Sequence, residues 1–129
     1  MLESDLLIPA LVAVALGAFI GLEREWHNHF AGMRTHALVC LGSCAFIALS
    51  LDLHDTSQTR VMGQVASGLG FLGAGVILKD GLKVHGLTTA ATIWVAGSVG
   101  AICGAGHYLD AIIVSWLVVL LNILKLKQD

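Results

Sequence analysis

Leu6-Leu-Ile-Pro-Ala-Leu-Val-Ala-Val-Ala-Leu-Gly-Ala-Phe-Ile-Gly-Leu22 carries no charged side chain and then runs straight into Glu23-Arg24-Glu25-Trp26. Its length is at the lower end of the ~17–25 residues a helix needs to cross a bilayer. In hydrocarbon every backbone polar group must be bonded internally, so only helices and closed barrels span. Barrel strands are about ten residues of alternating polarity. This run is longer and apolar all round, so it reads as a transmembrane helix that stops at a charged, Trp-marked interface. It does not read as a secretory leader. The first charges are Glu3 and Asp5, where a leader would be basic.

Four further apolar segments follow: Ala37–Leu51, Val61–Leu78, Thr88–Gly104 and Tyr108–Leu124. The whole chain has 129 residues, 57% apolar and only 12% charged, with a mean hydropathy of +0.84. A soluble domain is roughly 45–50% apolar and about 25% charged. The composition excludes a disordered chain and argues against a soluble globule. The expectation is an all-α, polytopic helix bundle of about five transmembrane helices, one domain over residues 1–129. Ser4 or Asp5 can cap the first helix, with Pro9 tolerated in its first turns. Thr88 or Thr89 can cap the fourth, and Asp110 suits the first turn of the fifth.

Basic residues set the orientation. Arg24, Arg34, Lys79, Lys83, Lys125 and Lys127 fall on one side of such a bundle, and Arg60 alone on the other. The N-terminus is therefore expected outside and the C-terminus in the cytoplasm. Asp52, Asp55, Asp110, His54 and His107 then lie in the outer connections. The net charge of −2 excludes an electrostatic nucleic-acid binder.

Small residues recur at four-residue spacing: Ala13, Gly17 and Gly21; Gly63 with Ser67, and Ala66, Gly70 and Ala74; Ala96, Gly100 and Gly104. Such stripes let helices approach closely in lipid. They serve packing within one bundle or contact with a second copy, and a homodimer or other homo-oligomer is expected. Gly68-Leu-Gly-Phe-Leu-Gly73 matches G-x-G-x-x-G, yet it sits inside an apolar segment without the strand and acidic residue that a dinucleotide site requires. Gly68, Gly70, Gly73 and Gly75 instead mark helix packing or a broken helix, the latter a feature of transport sites.

The segment interiors hold no Asp, Glu, Lys or Arg, whereas pumps and carriers usually place an ionisable group at that depth. Charge gathers at the inner boundary. Glu23, Arg24, Glu25, Arg34, Thr35 and His36 form a candidate functional cluster, with Arg34 paired to Glu23 or Glu25. Snorkelling charges and a belt Trp are the plainer alternative. Cys40, Cys44 and Cys103 read as small packing residues. No transition-metal ligand spacing is present among the six histidines. Glu23 and Glu25 are weak candidates for Mg²⁺, which prefers oxygen ligands. No nucleophile–base pair stands out, and no enzyme activity is expected.

Gly17-Ala-Phe-Ile-Gly-Leu-Glu-Arg-Glu25, Ala31-Gly-Met-Arg-Thr-His36, Gly68-Leu-Gly-Phe-Leu-Gly-Ala-Gly-Val-Ile77 and Gly86-Leu-Thr-Thr-Ala-Ala-Thr-Ile-Trp94 together resemble the membrane domain of the MgtC/SapB family. The resemblance covers nearly the whole chain. It implies a multi-pass protein of the bacterial inner membrane, linked to low-magnesium adaptation and survival inside host cells. It further implies a regulator of another membrane protein, such as the F-type ATP synthase; a magnesium or other cation transporter formed by an oligomer is the alternative. The motif positions it points to are Glu23, Arg24, Glu25, Arg34 and Thr88, with Thr89 and Trp94 beside them. Many members of that family continue into a soluble C-terminal domain. The present sequence ends at Asp129, so a short form or the membrane part alone is expected.

Overall fold

A computed structural model describes residues 5–29, 31–53, 58–80 and 82–124. They form five helices: α1 (Leu7–Trp26), α2 (Met33–Asp52), α3 (Gln58–Ala74), α4 (Leu87–Gly104) and α5 (Tyr108–Ile123). A short antiparallel ribbon, β1 (Leu78–Asp80) and β2 (Lys83–His85), links α3 to α4 in the register Leu78↔His85, Lys79↔Val84, Asp80↔Lys83. The helices α1, α2 and α4 are long and apolar enough to cross a membrane. At 17 and 16 residues, α3 and α5 are shorter.

The centre is α4. Nine of its residues are buried, among them Ile93, Ala96, Val99 and Cys103, while Ala91, Trp94 and Ser98 on the opposite face are exposed. The helix packs against each of the other four helices. Its partners approach to backbone contact. A Cβ on Gly100 would collide with the Cys40 carbonyl oxygen, and one on Gly104 with that of Cys44. The α1–α2 pair is as close: a Cβ on Gly17 or Gly21 would meet the backbone of His36–Ala37 or Gly32–Met33. The stripes of the first and fourth segments are thus used up inside the chain. Phe19 and Trp116 join α1 to α5, their ring centroids 5.0 Å apart and tilted by 58°.

Against that core α3 is peripheral, with only Leu69 and Gly73 buried. It runs unbroken through Gly68 and Gly70, so the third segment is not split into half-helices. Nor does it reach Leu78. Beyond Ala74 the bonds tighten to three-residue spacing, from Val76 N–H to the Gly73 carbonyl (3.1 Å) and from Ile77 N–H to that of Ala74 (3.2 Å), and the ribbon begins.

The caps differ from expectation in two places. Leu6 precedes α1 with no side-chain cap, so Asp5 does not serve; Pro9 is accommodated in the first turn, where N–H groups lack helical partners anyway. Neither Thr88 nor Thr89 caps α4. That position belongs to Gly86, whose left-handed φ of 84° a side chain would strain and whose Cβ would strike the Val76 carbonyl oxygen. Asp110 does lie in the first turn of α5. Ser4, His54, Asp55, Lys125, Lys127 and the side chain of Lys79 lie outside the described residues.

Candidate functional site

One end of the bundle gathers the end of α1, the starts of α2 and α4, and the end of α5. The sequence builds it from a tight helix–turn–helix. After Trp26, Asn28 takes a left-handed φ of 61°, which asparagine tolerates better than most residues. Asn28 N–H bonds the Glu25 carbonyl and His29 N–H that of Arg24, each at 3.0 Å, closing α1. Gly32 then seats against α1, and the Glu25 carboxylate accepts a bond from Met33 N–H at 3.2 Å. That places a negative charge at the positive end of α2.

Arg24 turns inward. Only 1% of it is exposed, and Nη2 donates to Thr89 Oγ1 at 3.0 Å, tying α1 to α4. A charge taken out of water is costly unless it is hydrogen-bonded. Thr89 supplies one of those bonds from the first turn of α4. His36 is fully buried nearby, its Nδ1–H donating to the Gly32 carbonyl at 2.9 Å. With the proton on Nδ1, Nε2 is an acceptor, and it is buried without a hydrogen-bond partner. A second polar chain reaches α5: Thr92 Oγ1 donates to the Thr88 carbonyl at 2.7 Å and accepts from Asn122 Nδ2 at 3.1 Å.

Glu23 points elsewhere than Arg24. Its side chain is 8% exposed; Oε2 faces His27 Nδ1 at 2.8 Å, and Oε1 is buried without a hydrogen-bond partner. Arg34 and Thr35 are exposed on the first turn of α2. The expected Arg34–carboxylate pair is not formed, because Glu23 is engaged by His27 and Glu25 by the backbone of α2. Trp26, 80% exposed, stands where an interfacial aromatic belongs. Trp94 donates Nε1–H to the Ala66 carbonyl at 3.3 Å and so fastens α4 to α3.

The structure therefore joins Arg24 to Thr89, with His36 and Thr88 nearby and Glu25 at the start of α2, while Glu23 faces His27 instead. It leaves Arg34 and Thr35 on the surface, Gly68, Gly70 and Gly73 on α3, and Gly75 just past its end. Among the described residues, no group of three or more His, Cys, Asp or Glu side chains converges as a metal centre would require. The Thr92–Asn122 link was not foreseen from the sequence. Its only trace there is a lone asparagine in the apolar fifth segment.

The family model of the MgtC family matches residues 10–128. An uncharacterised protein of Synechocystis sp. is 46% identical over 93% of this chain and 52% of its own length. The protein MgtC of Salmonella typhimurium is 43% identical over 96% of this chain and 54% of its own. The protein MgtC of Brucella abortus is 45% identical over 87% and 48%. The chain spans about half the length of the curated relatives it matches. No solved structure matches it. With a family model covering all but its first and last residues, and three helices fit to span a bilayer, the chain belongs to the MgtC family of bacterial membrane proteins.

Proposed function

We propose that this chain is the membrane module of a non-enzymatic regulator in the bacterial inner membrane. It acts by binding a larger membrane protein, for which the F-type ATP synthase is the leading candidate, under magnesium limitation and inside host cells. All five helices span, with the N-terminus outside, so that Arg24, Arg34 and the ribbon face the cytoplasm.

The observation that carries this reading is the closed core. Between α1, α2 and α4, backbone meets backbone at Gly17, Gly21, Gly100 and Gly104, and Ala13, Ile20, Cys40, Ala96 and Val99 fill the remainder. An ion passing along that axis would meet apolar side chains and no carboxylate at depth, unlike a carrier. The polar network at the inner end holds the helices in register and leaves Arg34 and Thr35 outward for a partner.

The test is affinity purification from mildly solubilised native membranes of the full protein, wild type against Arg34→Ala, read by mass spectrometry. A membrane complex recovered in stoichiometric amount with wild type and lost with the variant supports the reading. Equal recovery from both would remove Arg34 from it.

A second reading has one observation in its favour. Gly63, Gly68 and Gly70 of α3 meet nothing within 4 Å, so several copies could assemble around that helix and leave a cation path between them. Cation flux into liposomes holding only this protein, reduced by Gly70→Leu, would favour it. Silence across several cations and imposed potentials would exclude it.

A further inference from the structure

A groove of about 590 Å³ runs between α2 and α3. Gly42 of α2 and Gly68 of α3 line it from opposite walls, and a Cβ on either would meet nothing within 4 Å. Gly17, Gly21, Gly100 and Gly104 are pressed against a neighbouring backbone; Gly42 and Gly68 face empty space, and the missing side chains are what keep the groove open. Its walls are otherwise largely apolar, but the end nearest the start of α3 carries Arg60 and, one turn on, Gln64. From Arg60 to Leu72 the α3 wall extends about 18 Å at helical rise. That is close to the depth of one leaflet, half of a hydrocarbon core ~30 Å thick. The groove is thus one leaflet deep, apolar along its length and cationic at the mouth.

We infer that the α2–α3 groove binds one acyl chain of an anionic phospholipid, with its headgroup phosphate held at Arg60 and Gln64. Charge complementarity selects the lipid, since the guanidinium offers a bidentate match to a phosphate. A volume of about 590 Å³ suits a tail rather than a helix. A transmembrane helix is about 10 Å across with its side chains and would rest on the rim rather than enter a slot opened by two absent side chains. The bound tail fills the weakest contact of the bundle and stabilises the docking of α3.

The experiment is native mass spectrometry of the detergent-purified full chain, titrated separately with phosphatidylglycerol and phosphatidylcholine. Wild type is expected to retain one phosphatidylglycerol per chain, favoured about fivefold over phosphatidylcholine, which is the worth of one interfacial Arg facing anionic lipid. Arg60→Gln should bring the two lipids level. Gly68→Leu fills the groove from one wall and should cut retention about tenfold, since its side chain takes the place of buried tail. Gly42→Leu does the same from the other wall and serves if the first variant fails to fold. Both sites are open, so the thermal midpoint should stay near that of wild type. Retention unchanged in both filled variants, or a lipid preference untouched by Arg60→Gln, would overturn the proposal. So would a disulfide between two copies through Gly68→Cys at high yield in membranes, which would make the groove a contact between chains.

Discussion

At the scale of single residues, Arg24 and Thr89 are the pair that ties α1 to α4 at one end of the bundle. A buried guanidinium deprived of one acceptor retains its desolvation cost, about 1–3 kcal/mol for such a group. Thr89→Val should therefore lower stability by that amount and Thr89→Ser should recover most of it, as a shift of the unfolding midpoint in detergent. Glu25 contributes less because it is exposed. Replacing it with Ala removes one carboxylate from the start of α2, worth roughly 0.5–1 kcal/mol. The reading is local: faster hydrogen exchange at Met33 and its neighbours, with α4 unchanged. Both roles were only half visible in the sequence. The run from Glu23 to Glu25 announces a charged boundary. Which of three adjacent charges turns inward depends on the rotation of α1, and that is set by Gly17 and Gly21 pressing on α2. Arg34 suggested itself as the ion-pair partner because of its chemistry. The turn at Asn28 instead brings the amide of Met33 to Glu25, and a backbone donor is invisible in a list of side chains.

Among the elements, the glycines sort into two classes that periodicity does not separate. Gly100 abuts the Cys40 carbonyl, so Gly100→Ala must push α4 off α2. The expected loss is about 1–3 kcal/mol, as for other overpacked cores, or more if the backbone cannot shift. Gly63 stands in open space within a helix, and Gly63→Ala should gain roughly 0.5–1 kcal/mol. Thermal unfolding of the two variants side by side checks both signs. The boundaries of α4 and α5 were legible to within a residue, whereas α1 runs four residues past Leu22 through its charges and α2 starts four before Ala37, because a charged residue at the end of an apolar run does not stop a helix. The end of α3 was not legible. Val76, Ile77 and Leu78 continue the hydropathy of the helix, yet the positive φ of Gly86 and the close approach of that residue to Val76 force a ribbon there. Hydropathy records burial or contact with lipid and carries no information about a turn fixed by a residue ten positions later.

For the whole molecule, the proposed five-span topology would put Leu82, at the tip of the ribbon, and His107, between α4 and α5, on opposite faces of the membrane. Single cysteines at these two positions should be labelled by impermeant maleimide from the cytoplasmic and the outer side respectively. Labelling of both from one side would contradict the five-span topology. The native thiols do not interfere with this experiment: Cys40, Cys44 and Cys103 are free and fully buried, with Cys40 Sγ donating to the Ala96 carbonyl at 3.0 Å. Their sealing has a use of its own. A small alkylating reagent can reach them only when α2 and α4 part, so the pace at which the unmodified chain gains mass in its presence measures how often the bundle breathes. The protein carries an internal stopwatch, already placed at the seam where its two central helices meet.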